Sequence, residues 1–413
     1  MQKGIKYRIY PTREQRVLFA KHFGSGRFIY NKMLEVKQTF YKKFRISLSE
    51  YELSSYLPIL KECYPWLKDV YAWSLQYANG NLNNAFKNFF KHISDYPQRK
   101  SKKDNHQSYN ALYYKINFET EQIHIPKIGW IKVKIHRELF DFQFAIHNLE
   151  YTNDVILEQS KNTQYLKTIT ISKTPTDKYY VSISTNDQKD NPQKQYYDES
   201  NTIGVDIGLK SFAVISNEEV IDNPKYLKKS LKQLKHLQRC VSRKKKGSKN
   251  KKKAVIKLAK CHEKVANQRH DFQHKLSLKL VSENQAIAIE DLNIKGMLKN
   301  HCLARSISDA AWSSFIGKLY YKAEWFGKTI LKIGRFEPSS KTCHICGYYK
   351  KDLTLDIREW ICPNCNAHHD RDINAAINIK NFALKNISPE GLGIELVELS
   401  KITEKQEALK SLA

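Results

Sequence analysis

The chain has no apolar run of eighteen residues in its 413, which leaves no candidate for a helical membrane span. Its opening, Met1-Gln-Lys-Gly-Ile-Lys-Tyr-Arg, lacks the apolar stretch of a secretory signal. Acid is scarce beside base: 42 Asp and Glu stand against 70 Lys and Arg, a formal charge of +28. A merely solvated surface needs far less excess, so the balance points to a polyanionic partner, nucleic acid first. There is no internal repeat. Cysteines number 8, and four of them, Cys63, Cys240, Cys261 and Cys302, are scattered, which suits a reducing cytosol rather than a disulfide scaffold. Hydrophobic residues at 41% and aromatics at 12% describe a folded protein, long enough for two or three domains.

The other four cysteines form a pattern. Cys343-His-Ile-Cys346 is followed, after fifteen residues, by Cys362-Pro-Asn-Cys365. Each CxxC turn brings two thiolates to one metal, and two such turns complete a tetrahedron, so the spacing predicts a structural four-thiolate zinc site. With four sulfurs bound, no position is left for substrate. Directly behind it comes Asp370-Arg-Asp372-Ile-Asn374-Ala-Ala, an acidic helix start.

Alternation at Ile5, Tyr7 and Ile9 predicts a strand over 3–10, and Thr12 with Gln15 predicts a capped helix start. Residues 13–93 read as helical, with Phe86, Phe89, Phe90 and Ile93 on one apolar face. The stretch 94–110 is polar, basic and turn-rich. Residues 111–190 carry strands, among them 123–133, 166–172 and 179–184. Together these suggest a small β-barrel, from 1–12 and 111–190, with a helical domain, 13–110, inserted. After a polar linker, 203–208 and 212–216 read as paired strands, 226–281 as a helical hairpin and 286–292 as a buried strand ending in acid. A helix over 308–328 and a strand over 329–333 follow. The hairpin tip, Arg243–Lys253, has eight basic residues in eleven. The segment 384–413 lacks a core pattern.

Asp206 lies on an apolar strand and shares its face with Gly204 and Gly208, whose small size would let a phosphate backbone approach. Glu290 ends a second apolar strand, and Asp372 or Asp370 is a third acid. Carboxylates on apolar strands are unfavourable unless paired or metal-bound. Three from distant segments could hold two magnesium ions about 3.5–4 Å apart for attack on phosphorus. Each acid could instead cap a helix or pair with a lysine.

Gly204-Val-Asp206-Ile-Gly208, Ile289-Glu290-Asp-Leu292 and Asp370-Arg-Asp372-Ile-Asn374-Ala-Ala-Ile-Asn378-Ile resemble the split motifs of a RuvC-like, RNase H-type nuclease. Their order, with a four-cysteine element before the last, is similar to that of the TnpB family, transposon-encoded relatives of type V CRISPR effectors. Lys6-Tyr-Arg-Ile-Tyr-Pro-Thr12, Lys100-Ser-Lys-Lys-Asp-Asn-His-Gln-Ser108 and Ser306-Ile-Ser-Asp-Ala-Ala-Trp312 extend the resemblance over nearly the whole chain. It implies a multidomain α/β plus α+β protein. A β-barrel wedge domain would carry an inserted helical recognition domain. An RNase H-like nuclease domain over 198–340 and 368–383 would carry a zinc-ribbon insertion at 341–367. The implied activity is magnesium-dependent, RNA-guided cleavage of double-stranded DNA beside a short motif, by one chain with one guide RNA from the transposon end, in the prokaryotic cytosol. It makes Asp206, Glu290 and Asp372 catalytic and leaves Asp370 as a helix N-cap. An RNA-guided repressor without cleavage, or a transposase, are the alternatives. The three filled acidic positions argue against the repressor.

Base pairing would carry sequence specificity, leaving charge, shape and a few base contacts to the protein. The candidates are Arg99, Lys100, Lys102, Lys103, Asn105, Gln107 and Ser108, where cations sit beside side chains able to bond bases or sugars. A solvated loop would have the same composition. Gln76, Asn83 and Lys87 on one helix are candidates for reading the adjacent motif, Arg243, Lys244 and Lys245 for tracking phosphates, and Arg269 for the scissile strand. Trp312 and Trp325 read as core.

Overall fold

The computed structural model describes residues 2–104, 107–136, 166–186, 190, 192–354 and 356–385. Asn105 and the segment 386–413 of the expected tail lie outside them. The chain forms two compact units, Met1–Asp190 and Asn191–Ala413.

In the first unit, strand β1 (Gln2–Tyr10) leads into helix α1 (Arg13–Phe44). Thr12 and Gln15 form the expected reciprocal cap, with N···O distances of 3.3 and 3.0 Å. Short helices α2 (Glu50–Ser54) and α3 (Tyr56–Cys63) and the longer α4 (Ala72–Phe90) follow. Leu57, Leu67, Leu75 and Leu82 pack in one core with Ile29 and Met33 of α1. The expected apolar face stops at Phe86: Phe90 is 67% and Ile93 64% exposed. Helix α4 ends at Phe90, so the later residue leaves the 3.6-residue period.

Strands β2 (Gln107–Ala111), β3 (Lys115–Asn117), β4 (Gln122–Ile125), β5 (Gly129–Lys134), β6 (Leu166–Lys173) and β7 (Tyr179–Asn186) join β1 in one antiparallel sheet. Its order is β2-β6-β7-β1-β5-β4-β3. The 123–133 stretch is therefore a hairpin, turning at Lys127 (φ 65°) and Gly129 (φ 88°). No pairing joins β2 to β3 among the described residues, which form a sheet with those two strands at its edges. Phe19 and Phe23 of α1 reach into its core, with Phe19 stacked on Tyr179 at 5.5 Å. Strand β2 also begins four residues before 111, which places Gln107 and Ser108 on the sheet rather than in the basic loop.

The second unit is built on β8 (Thr202–Ile207), β9 (Ser211–Ile215), β10 (Val220–Asp222), β11 (Ala286–Glu290) and β12 (Thr329–Ile333). The order is β10-β9-β8-β11-β12. The first three strands are antiparallel; β11 runs parallel to both β8 and β12. Helices α5 (Tyr226–Ser242) and α6 (Lys249–Glu283) form the hairpin. The basic tip is a loop only over 243–248, and its last lysines open α6. Helix α7 (Ile294–Met297) is a single turn. The expected 308–328 helix is two, α8 (Ala304–Ala310) and α9 (Trp312–Phe326), broken at Ala311 (φ 53°). Gln273 Nε2 donates to the Ala310 and Ala311 carbonyls at the break, at 2.9 and 3.1 Å. Trp312 is core as expected, at 2% exposure. Trp325 is half-buried against Tyr321.

Helix α10 (Arg371–Lys385) covers the sheet face that carries the even-numbered residues of β8. A Cβ at Gly204 would overlap the Ala376 carbonyl oxygen and come within 2.7 Å of the Lys380 nitrogen. Gly204 thus admits the helix backbone, not a phosphate backbone, and the Ala375-Ala376 pair supplies the matching small surface.

Candidate nuclease site

Register and packing assemble the acidic cluster. Because β8 and β11 are parallel with Val205 opposite Ile289, the next residue on each, Asp206 and Glu290, lies at the same level; Glu290 ends β11 and Asp206 is the penultimate residue of β8. Asp206 lies two residues beyond Gly204, on the α10 side. Asp372 lies four residues before Ala376, about one helical turn back, so the helix start returns to the Asp206 end of the strand. Asp372 and Asp206 line one cleft of about 100 Å³ with Gly208, Lys210, Ser211 and Arg358.

The electrostatics agree. Burial, then the Glu290 and Asp372 charges, push the Asp206 carboxyl up to about 7, with Arg371 acting against them. Three carboxylates thus share one field without a sufficient countercharge, which is a donor set suited to a hard divalent cation. Their oxygens are not gathered tightly: among the described residues only the four cysteines bring three or more ligand atoms within 4.8 Å of one another.

Neighbouring acids are already occupied. Asp291 pairs with Lys332 at 2.6 Å and Arg335 at 2.9 Å. Those partners, Lys332 first, hold its carboxyl below the usual range. Asp370 accepts from the Asp372 and Ile373 amides at 2.9 and 3.0 Å, which is the expected N-cap. Asp372 itself meets the exposed Arg358, whose Nη1 lies 3.1 and 3.4 Å from its two oxygens. Glu290 Oε1 accepts from the buried Ser339 hydroxyl at 2.7 Å. Neither Arg358 nor Ser339 has a distinguishing signal in the sequence; each acquires its place through a loop that ends near the cluster.

The four cysteines converge as their spacing requires. Cys343 and Cys365 sulfurs are 3.7 Å apart and those of Cys346 and Cys362 3.5 Å. Tetrahedral zinc with ~2.3 Å bonds separates sulfurs by about 3.8 Å, so the cluster fits one such ion. The two turns match: Gly347 (φ 76°) and Asn366 (φ 56°) each sit four residues after a first cysteine and close it, donating to Cys343 and Cys362 oxygens at 2.9 Å. Glycine and asparagine tolerate that left-handed backbone best. Strand β13 (Glu359–Ile361) then pairs with β14 (His368–Asp370), with Trp360 opposite His369. The metal clip is thus continuous with the residue that caps α10.

The expected nucleic-acid residues fare unevenly. Lys100, Gln107 and Ser108 share a cleft of about 220 Å³ in the first unit with Gly26, Arg27, Asn81, Asp104 and Asn110. Asn31 brackets the Lys100 backbone at 2.8 and 2.9 Å, and the Lys100 ammonium sits 4.0 Å over the Tyr30 ring. Arg27, Asn81 and Asn110 have no motif to announce them; the cleft forms only when α1, α4 and β2 meet. Arg99 lies 3.6 Å from Glu35; Lys102 and Lys103 are exposed. Gln76, Asn83 and Lys87 do share one face of α4, where Asn83 Nδ2 donates to Glu50 at 2.7 Å. Gln76, Lys87, Arg243, Lys244 and Lys245 are exposed. Arg269 pairs with Asp309 at 3.2 Å, and Asp309 also accepts from the Leu227 and Lys228 amides at the start of α5.

Comparison with known proteins follows the same landmarks. A curated relative from Streptomyces pristinaespiralis, named "Putative RNA-guided DNA endonuclease", is 36% identical over 92% of this chain and 89% of its own length. The chain belongs to the TnpB family. The TnpB relative InsQ of Escherichia coli K12, with the same description, is 26% identical over 91% of each chain. The family model described as "Probable transposase" (OrfB_IS605) matches 182–301, the stretch with Asp206 and Glu290. A model for the Cas12f1-like TNB domain matches 312–379, with the cysteines and Asp372. A model described as a helix-turn-helix domain matches 1–45, where this TnpB has one strand and one uninterrupted helix. A Cas12f1–sgRNA–target DNA complex covers 92% of this chain and 99% of its own, with 16% identity and a TM-score of 0.47. No helix among the described residues is long and apolar enough to cross a membrane.

Proposed function

We propose that this chain is an RNA-guided double-stranded DNA endonuclease of an insertion-sequence transposon. Its hydrolytic site is Asp206, Glu290 and Asp372, and its action serves transposon retention. The observation that carries the reading is the raised Asp206 carboxyl, caused by burial and by the Glu290 and Asp372 charges. Two magnesium ions on these acids would supply an activated water for attack on phosphorus and stabilise the leaving 3′ oxygen.

The chain's own residues prepare that site. The strand ends hold Asp206 and Glu290 on rigid parallel backbone, and α10 supplies Asp372. Arg358 and Lys210 line the cleft and give a phosphate positive charge to approach. Zinc is the ion for the four cysteines, and its task is to fold the segment that leads into Asp370 and Asp372. Relatives of the same length are named for RNA guidance and DNA cleavage, and the +28 charge suits both polyanions. The cleft with Arg27, Asn81, Lys100, Gln107 and Asn110 offers amides and cations for a short DNA motif. A repressor reading requires a missing acid, and none is missing.

RNA guidance has its own test. Protein purified from cells that carry the flanking transposon DNA is expected to bring down one abundant RNA ending at the transposon boundary. A preparation free of RNA, yet able to nick DNA with magnesium, would remove the guide from this reading.

A further inference from the structure

Helix α10 reaches Glu290 as well as presenting Asp372. Its buried Asn374 and Asn378 lie one turn apart on one face. Asn378 Nδ2 donates to the carbonyls of Ser339 and Thr342 at 2.7 and 2.5 Å; Asn374 Nδ2 donates to Thr342 at 2.8 Å. Asn374 Oδ1 accepts from the His344 amide, inside the first CxxC turn, at 3.1 Å. Between these anchors the 338–342 loop is a tight turn on the Pro338 carbonyl, which accepts from the Lys341 and Thr342 amides at 3.1 Å. The Ser339 side chain, 6% exposed, leaves that turn and donates to Glu290 Oε1 at 2.7 Å.

We infer that Ser339 is a positioning residue for Glu290, held by Asn374 and Asn378, so that one helix sets the orientation of two acids of the cluster. The inference rests on the reading of Glu290 as a metal-holding acid. A glutamate at a strand end has three side-chain torsions to fix, and the residue is only half-buried. Packing alone does not select its rotamer. A hydroxyl donor on Oε1 orients the carboxylate and leaves the other oxygen for a cation, as outer-shell partners of metal-binding carboxylates do. Serine donates here with no charge, so the negative field needed by a divalent ion is kept. The two asparagines satisfy the Ser339 and Thr342 carbonyls and the His344 amide, and so tie the turn to α10 and to the CxxC turn together.

The test uses the full chain and its ribonucleoprotein, with Ser339→Ala, Ser339→Thr and Glu290→Gln. Two quantities are read: the magnesium concentration for half-maximal cleavage, and the magnesium-dependent rise in Tm of the RNA-free chain, which reports binding without turnover. Ser339→Ala is expected to need about tenfold more magnesium in both, with metal-free Tm within about 2 °C of the parent. Ser339→Thr, which keeps the hydroxyl, is expected to recover most of the difference. If Ser339→Ala matches the parent while Glu290→Gln is inactive, Ser339 does not position Glu290 and the catalytic reading stands. If Ser339→Ala lowers metal-free Tm and threonine does not restore the magnesium dependence, the serine is structural and the inference fails. If Glu290→Gln cleaves like the parent, the catalytic reading itself fails and this inference with it.

Discussion

Asp206→Asn is expected to lower cleavage by on the order of 10³-fold or more, because groups that act as a unit lose nearly everything when one is removed. Guide and target binding are expected to stay within about threefold of the parent, since the change alters one side chain in a small cleft and leaves the exposed cations in place. Stability gives an independent sign. The native carboxyl is raised to about 7 from 3.8, by burial first and then by Glu290 and Asp372. A raised acid favours the folded state while it is protonated, and that advantage fades as pH rises from about 4 to about 7, where the unfolded chain ionises and the native site resists. Above that window the metal-free parent carries a penalty of up to ~4 kcal/mol that asparagine removes. The metal-free variant is therefore expected to melt higher than the parent at pH 7.5 and no higher at pH 4. A variant that melts lower at both values, or that loses target binding, would show Asp206 to be a structural residue.

Removing the clip metal is expected to be equally damaging by another route. The Cys343, Cys346, Cys362 and Cys365 sulfurs are drawn together around a small core of Leu353 and Trp360. That core is too small to fold on its own, so a metal held by the four sulfurs would supply its folding free energy. Among the described residues strand β14 pairs only with β13 of the clip, and its last residue, Asp370, leads straight into α10. Cys362→Ser, at a fully buried position, is expected to release zinc and lower Tm by on the order of 10 °C. Cleavage is expected to fall with it, because the Asp370 cap and the Ser339 turn lose their anchor. Atomic absorption and calorimetry on the same preparation check both. A variant without zinc that keeps the parent Tm would remove the structural metal from the account.

Much of the site is legible in the sequence because it depends on local rules. Alternation gives β1, β6 and β7, and short apolar runs give β8 and β11. Thr12 and Gln15 announce the start of α1, and CxxC spacing gives the cluster. Asp370 is readable as a cap because capping is a local hydrogen bond. What escapes depends on partners far along the chain. Gly204 looks like an opening for phosphate until α10 is seen packed on it. The partners of Asn83 and Arg269, Glu50 and Asp309, lie far along the chain and have no local signal. The break at Ala311 has no glycine or proline to mark it and is supported from outside by Gln273. Strand number does not fix which strands become neighbours, so the order β2-β6-β7-β1-β5-β4-β3 is not legible in the sequence. The 220 Å³ cleft draws residues from α1, α4, β2 and the 100–104 turn, so only Lys100, Gln107 and Ser108 could be named in advance.

The most direct test of the central claim is cleavage of linear double-stranded DNA by the purified ribonucleoprotein, with the guide matched or mismatched to the target and with magnesium or EDTA. The account predicts double-strand breaks only with matched guide and magnesium, lost in Asp206→Asn, Glu290→Gln and Asp372→Asn alike. Equal cutting of matched and mismatched DNA, or full cutting by any of those three variants, would contradict it.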